Sequence, residues 1–530
     1  MSKAKRFRLF AQVAAIALLL AGCTARAEKQ EWFGVISPPP GQTLRYISGA
    51  EPESLDPQMS SGQPEARIAV AMFEGLTEYH PKTLEPIPGI AERWTHNGDV
   101  SEFVFFLRHN AKFSNGDPIT AHDFVYTIRR GLRPSLASRV AFMAWDIKYA
   151  EAFNEGGAFV RDPKTGRFVL ASEAAEGEGG GAAQAPAAAA KEGEDAVPDT
   201  EFHRRIHEPE RLVVPFDEKE RAKAVKPGTK LAALVEGKEF VPVREEDIGV
   251  EAVDDYTLRF TLRQPTPYFL GLAQHQFFRA VPEKVVERYG VDWTKPGNMV
   301  CSGSHMLAEH KPYNQIVVVK NPYYWDAENV HLDKIIFYPL EEQTTMMNLY
   351  KAGEVDATYN HTVPAPWLKA GLRYAKDYMD APENGTQYWQ LNTTKGPTAD
   401  KRVRKALAMS IDRKALEGFR VVSKANSAFV PTGILRGYPS PRGYEFDVEG
   451  AKRLLAEAGF KDASGKFDPK KFPIDQIEIT YNTSESNRQV AEFIQAQWKQ
   501  NLGLTVPLHN VEWKTFLSMR AKLEYKGFAG

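Results

Sequence analysis

Phe113-Ser-Asn-Gly-Asp-Pro-Ile-Thr-Ala-His-Asp-Phe-Val-Tyr126 is the stretch whose reading decides the fold. Within it Thr120-x-x-Asp123 has the form of a capping box, with Asp in the place of the usual Glu or Gln. The apolar stripe Ala121, Phe124, Val125 and Ile128 then follows at helical spacing. A strand is predicted on either side of this helix. Phe103, Phe105 and Leu107 alternate with Val104, Phe106 and Arg108 as a mostly buried strand, and Leu258, Phe260 and Leu262 alternate with Arg259, Thr261 and Arg263 as a half-buried one. Further helices are predicted at 341–352 (closed by Gly353), 402–413 (striped by Val403, Leu407 and Ile411), 448–458 (closed by Gly459) and about 487–502 (closed by Gly503). Short β runs at 316–319, 335–338, 477–481 and 505–508 separate them, so the class is mixed α/β.

The front of the chain has a different character. Lys3, Lys5, Arg6 and Arg8 precede an apolar run from Leu9 to Leu20 that ends in Leu20-Ala21-Gly22-Cys23. The run is well short of the roughly 20 residues a spanning helix needs, so it reads as an export signal, residues 1–22. The last four residues resemble the lipobox of bacterial lipoproteins, which implies acyl chains on Cys23 and an extracytoplasmic, membrane-tethered body. Thr24 is not the Asp that by analogy retains such proteins on the inner membrane, so in a two-membrane cell the outer membrane is favoured. Residues 23–41 read as a polar tether ending in Pro38-Pro39-Pro40. With Cys23 lipidated, Cys301 stands alone; no internal disulfide is expected, and Cys301 reads as a small buried residue.

Some 500 residues remain after Cys23, enough for two or three lobes, and 43% hydrophobic residues supply their cores. The formal net charge of -1 gives no electrostatic case for nucleic acid. Residues 155–245 read as an insertion. Its centre, 172–199, is an Ala, Gly and Glu tract too poor in apolar side chains to offset the entropy of ordering, and is expected to be disordered.

Several segments resemble the signature segments of the extracytoplasmic family 5 solute-binding proteins of ABC importers. They are Glu51-Pro-Glu-Ser-Leu-Asp56, Phe73-Glu-Gly-Leu-Thr77, Ile90-Ala-Glu-Arg-Trp94 and, above all, 113–126. The match continues through Asn321-Pro-Tyr-Tyr-Trp325, Ala352-Gly-Glu-Val-Asp356 and Arg402-Val-Arg-Lys-Ala-Leu407, and Glu512-Trp513-Lys-Thr-Phe516 with Arg520 is similar to the oligopeptide-binding branch. The resemblance implies a two-lobed periplasmic-binding-protein fold of class II type. Residues 42–63 and 283–384 would form lobe I, 64–282 an extra subdomain carrying the insertion, and 385–530 lobe II. In the family the chain continues past the position of Gly530, through a Trp and an acidic residue that receives the peptide amino terminus. The resemblance therefore implies an incomplete second lobe, in a fragment or a truncated gene product.

The implied function is that of a lipoprotein of peptide transport, not an enzyme: a monomer that binds peptides between its lobes, delivers them to ABC permease subunits and needs no cofactor or metal. Relatives within the family carry nickel chelates, sugars or opines, which are the alternatives. By position in the family pattern, Glu51 and Glu53 line the lobe I edge, and His361 and Thr362 sit near a hinge crossing. Trp389, Gln390 and Asn392 enter lobe II, Trp513 and Arg520 lie opposite, and His275, in a matching place, reads equally well as a pocket wall or as a satisfied, partly buried histidine. Taken by themselves the tryptophans read equally well as core aromatics and the charges as solvated surface groups. A contrasting reading is an exported metallohydrolase at His203 and His207, four apart with Glu208 following. That order is not the His-Glu-x-x-His of zinc hydrolases, and neither a Gly-x-Ser-x-Gly elbow nor a Walker A loop occurs. The lipoprotein reading makes a direct prediction. Cys23→Ser removes the only acyl acceptor of the motif, so the protein should be exported but leave the membrane fraction. Persistence of the variant in membranes with its signal removed would contradict this.

Overall fold

The structure is a computed structural model and describes residues 31–35, 41–174, 197–359, 363–380, 385–431 and 438–530. The export signal, Cys23, His361 and Thr362 lie outside the described residues. In the quoted stretch, Thr120 is extended (φ -122°, ψ 169°) and donates its N–H to Asp123 Oδ2 at 2.8 Å, which starts helix Ala121–Leu132. Phe124, Val125 and Ile128 sink into one core with Phe103, Phe105, Leu258 and Phe260. Each such side chain contributes roughly 1.5–3 kcal/mol on burial. The sheet beneath is antiparallel, in the order Ala91–His96, Glu102–Leu107, Thr257–Thr261, Val250–Asp254. The strand Thr257–Thr261 is not half-buried as its alternation predicts. Arg259 and Thr261 are 3% and 5% exposed. Arg259 is held by Glu251 Oε1 (2.8 Å) and by the carbonyl of Pro198 (2.8 Å), so the insertion covers the outer face.

The first lobe is a five-stranded sheet in the order His305–Lys311, Gln315–Lys320, Lys334–Pro339, Thr43–Gly49, Ala357–Thr358. Thr43–Gly49 runs parallel to both of its neighbours. Helix Gln63–Met72 packs on this sheet through Ile68 and Met72, in one core with Trp293, Cys301 and Phe337. This helix, expected in the extra subdomain, thus shares its core with the first-lobe sheet. Cys301 is fully buried and burial pushes its thiol up to about 12, as a packed core residue requires.

Between the first strand and this helix, residues 50–62 are pinned by buried polar groups. Asp56 Oδ2 meets Arg130 Nη2 at 2.6 Å and Trp293 Nε1 at 3.1 Å. Arg130 Nη1 reaches Gln58 Oε1 at 2.6 Å, and Gln276 Nε2 donates to the Ser60 carbonyl at 2.6 Å. Asp56 and Arg130 are 4% and 7% exposed.

The second lobe is a four-stranded sheet in the order Gln390–Leu391, Gly527–Ala529, Glu478–Asn482, Leu508–Val511. Helix Glu485–Leu502 lies on it and ends at Gly503 in the left-handed region (φ 70°). Trp498 on that helix is fully buried, its indole N–H donating to the Leu407 carbonyl at 3.1 Å. Two elements depart from expectation. The helix predicted at 402–413 is two helices, Lys401–Met409 and Arg413–Arg420, because Asp412 caps the second by accepting from Lys414 N (3.0 Å) and Ala415 N (3.1 Å). The apolar run 505–508 leads into a strand at Leu508–Val511 instead of forming one; Val506 goes to the core.

The flanks of the insertion build a small sheet of their own. Gly157–Arg161 pairs with Val213–Pro215 and with Glu239–Pro242, over a small core of Val160, Val169, Leu212 and Val214. At the margins of the tract expected to be disordered, Ala171–Ala174 is helical and Pro198 and Asp199 hold Arg259 and His203. Residues 175–196 lie outside the description. Part of the tether is also docked. Phe33 and Gly34 donate their N–H groups to Asp377 at 3.0 and 2.8 Å, and the Phe33 ring packs on Tyr350 and Trp367. Aromatic area outweighs the polar composition of its surroundings there.

The buried pair gives a stability prediction. Asp56→Ala leaves the Arg130 guanidinium buried without its carboxylate and should cost about 3–5 kcal/mol in the unfolding transition of the first lobe. Chemical denaturation that shows a loss under 1 kcal/mol would contradict this.

Candidate functional site

Both lobe sheets point their carboxyl ends at the same space. In the first lobe those ends are followed by Ala50-Glu51, by Leu340-Glu341 and by Tyr359. In the second they are Asn482, Val511 followed by Glu512-Trp513, and Gly530, with Trp389 preceding the antiparallel edge strand. Crevices outside the carboxyl ends of strands are where open α/β sheets take their ligands.

The first turn of helix Trp513–Ala521 brings the lobes together. Glu512 caps it by accepting from Thr515 N at 3.1 Å. Trp513 Nε1 points at Glu65 Oε1 across the cleft (3.4 Å), and Trp513 Cζ2 lies 2.6 Å from where a Cβ on residue 62 would stand, so only glycine fits there. Lys514 Nζ sits 5.7 Å over the Tyr313 ring. Gln343, Val363 and Ala365 meet Arg420, Val422 and Gln489 at a second, small crevice.

Three carboxylates set the charge of the cleft. Glu51 is 6% exposed and accepts from His310 Nε2 (3.0 Å) and Tyr313 N (2.9 Å). Burial alone would raise its carboxyl, but these donors, with Lys514 from the other lobe, hold it below the ordinary value. Glu65 is 1% exposed; its Oε1 accepts from Glu53 N (2.8 Å), while its Oε2 is buried with no hydrogen-bond partner. Burial, and then the charge of Glu512, push Glu341 up to about 7. Among the described residues no cation pairs with it. Sequence reading missed both Glu65 and Glu341, since a carboxylate on an amphipathic helix or after a strand looks like a solvated charge.

The nominated residues are redistributed. Glu53 pairs with Arg139 of the extra subdomain. His275 takes the form of a satisfied, partly buried histidine: its Nδ1 caps the turn Gln276–Phe278 by accepting from Phe277 N (3.2 Å), and burial lowers the ring to about 4. Asn392 is fully buried and consumed by structure, donating to the carbonyls of Leu523 and Tyr525 (3.0 Å each) and accepting from Thr394. Trp389 stacks on Phe528 (5.3 Å) and lies against Gly530, and Gln390 is half-buried in the edge strand. Trp389 and Trp513 are thus on the same lobe, and of the pair Trp389 and Glu51 only Glu51 lies across from Trp513. Arg520 lies on the last turn, 5.6 Å from the Phe516 ring, with no carboxylate paired to it among the described residues. Glu208 turns to Arg211 (2.9 Å), away from His203 and His207.

Comparison with known proteins agrees with this geometry. Residues 85–528 match the model of "Bacterial extracellular solute-binding proteins, family 5 Middle". The periplasmic oligopeptide-binding protein OppA of Salmonella typhimurium is 30% identical over 500 residues, covering 90% of this chain and 72% of that protein. Among solved structures, the murein tripeptide-binding protein MppA of Escherichia coli superposes with a TM-score of 0.69 at 28% identity, over 93% of this chain and 79% of the other. Haemophilus influenzae OppA in complex with RPPGFSPFR gives 0.68 at 26%, over 93% and 80%. The chain belongs to the family 5 bacterial extracellular solute-binding proteins.

Proposed function

We propose that this protein binds peptides in the cleft between its lobes and delivers them to ABC permease subunits, as an exported monomer held at the membrane by acyl chains on Cys23. One observation carries the reading. The carboxyl edges of two sheets meet around Trp513, and the carboxylates Glu65 and Glu341 lie there without cationic partners among the described residues. A peptide offers backbone N–H donors and an amino-terminal ammonium to such groups, and an aromatic face accepts varied side chains. A receptor for many sequences has to satisfy the shared backbone, as strand-like recognition does. The names of the relatives, two OppA proteins and a murein tripeptide-binding protein, support a peptide over a nickel chelate, sugar or opine. Contact between the lobes at the first turn of helix Trp513–Ala521 and around one small crevice suits hinge closure, in which ligand stabilises the closed pair.

Calorimetry with short peptides tests this directly. Saturable binding is expected, and Trp513→Ala should weaken all peptides by about 1–3 kcal/mol, the loss of one large aromatic contact. Unchanged affinities would remove Trp513 from the site, and binding of a sugar or chelate in place of peptides would overturn the ligand class. A second prediction concerns pH. Because the Glu341 carboxyl is raised in the folded protein, the native state binds more protons than the unfolded one between the ordinary carboxylate value and about 7. Its contribution to stability therefore falls as pH rises through that window. Thermal melts of Glu341→Gln should lose this part of the pH dependence between pH 5 and 8; a variant profile parallel to that of the parent would contradict the assignment.

A further inference from the structure

On the insertion, a second arrangement of side chains stands apart from the cleft. Thr200 starts helix Glu201–Ile206, its hydroxyl accepting from His203 N at 2.9 Å. His203 and His207 therefore lie one turn apart, and their rings meet edge to face, 4.5 Å between centroids. Glu102, the first residue of the strand Glu102–Leu107, comes up between them. Its Oε2 is 2.8 Å from His203 Nε2 and 3.1 Å from His207 Nε2. All three donor atoms lie within 4.8 Å of one another. On the other side of the His203 ring, Nδ1 lies 2.7 Å from Asp199 Oδ1.

We propose that Glu102, His203 and His207 bind one divalent transition-metal ion, zinc foremost, which clasps the insertion to the sheet of the extra subdomain. Two imidazoles and a carboxylate form a borderline donor set that selects zinc, nickel or copper over calcium or magnesium, whose sites are built from oxygen. The Asp199 contact places a proton on His203 Nδ1 and leaves Nε2 as the ligand, the arrangement that orients metal-bound histidines. Tetrahedral bonds of about 2.0–2.2 Å hold donors roughly 3.3–3.6 Å apart, so Glu102 Oε2, at 2.8 and 3.1 Å from the two imidazoles, has to draw back by roughly half an ångström to admit an ion. The His207 side chain is 38% exposed, which leaves a fourth position open to water. With Glu208 paired to Arg211, no second carboxylate from this helix stands over the site as a base, and the ion's work is structural. The ligands come from segments about a hundred residues apart, so the ion cross-links the insertion to the body it covers.

Equilibrium dialysis of the chelator-treated protein against zinc chloride tests the site. One zinc per chain is expected, with cobalt substitution giving the intense visible bands of a four-coordinate centre. His203→Gln and His207→Gln should each weaken zinc at least tenfold, and Asp199→Asn, at an exposed position that ligates nothing, by 10- to 100-fold. Zinc should also slow proteolysis within 155–245 and leave peptide affinity unchanged, which separates this site from the cleft. Absence of stoichiometric zinc, or affinity unaltered in both histidine variants, overturns the proposal. Should those variants fail to fold, unaltered affinity in Asp199→Asn overturns it, and zinc binding without slower proteolysis overturns the clasp.

Discussion

The Asp56–Arg130 ion pair is the constraint on which the rest depends. Two charges this deeply buried cost several kcal/mol each to desolvate, and their mutual contact, the hydrogen bond from Trp293 to Asp56 and that from Arg130 to Gln58 offset that cost. The arrangement therefore has one geometry that works. Because Asp56 lies on the segment between the first strand and helix Gln63–Met72 while Arg130 lies on helix Ala121–Leu132, that geometry fixes the first lobe to the extra subdomain. It also fixes residues 50–62, and with them Glu51, Gly62 and the approach of Glu65 to the cleft. The stretch 113–126 that decides the fold thus also sets, through the helix it begins, where one wall of the cleft stands.

Local signals in the sequence were accurate where local physics decides. The capping box at Thr120 and the left-handed stops at Gly353 and Gly503 appear as read, since each needs only a few neighbouring residues. Tertiary effects decided the remainder. The helix break before Arg413 comes from an aspartate whose capping competes with helix continuation. Arg259 is buried on a strand that alternates like a surface strand, because a distant segment folds over it.

The candidate site was legible to a lesser degree, for the same reason. Trp513 was found by position in a family pattern, and its contact with Gly62 and Glu65 bears on the cleft. Asn392 was misread because an amide suited to a peptide backbone is equally suited to two carbonyls of its own chain. Glu65 and Glu341 were invisible, since tertiary packing and not the local sequence removes their water. Glu102 was missed at the histidine pair because it stands about a hundred residues away, on the sheet the insertion covers, and sequence proximity offered Glu208 instead.

The central claim is that the cleft holds peptides. Native mass spectrometry of the protein as isolated from its own cell envelope tests it without a chosen ligand. A spread of adducts whose fragmentation gives short peptides, displaced together by one added peptide, is the predicted result. Adducts composed only of sugars, metal chelates or other non-peptide solutes, or a protein that stays unliganded when peptides are added, would contradict it.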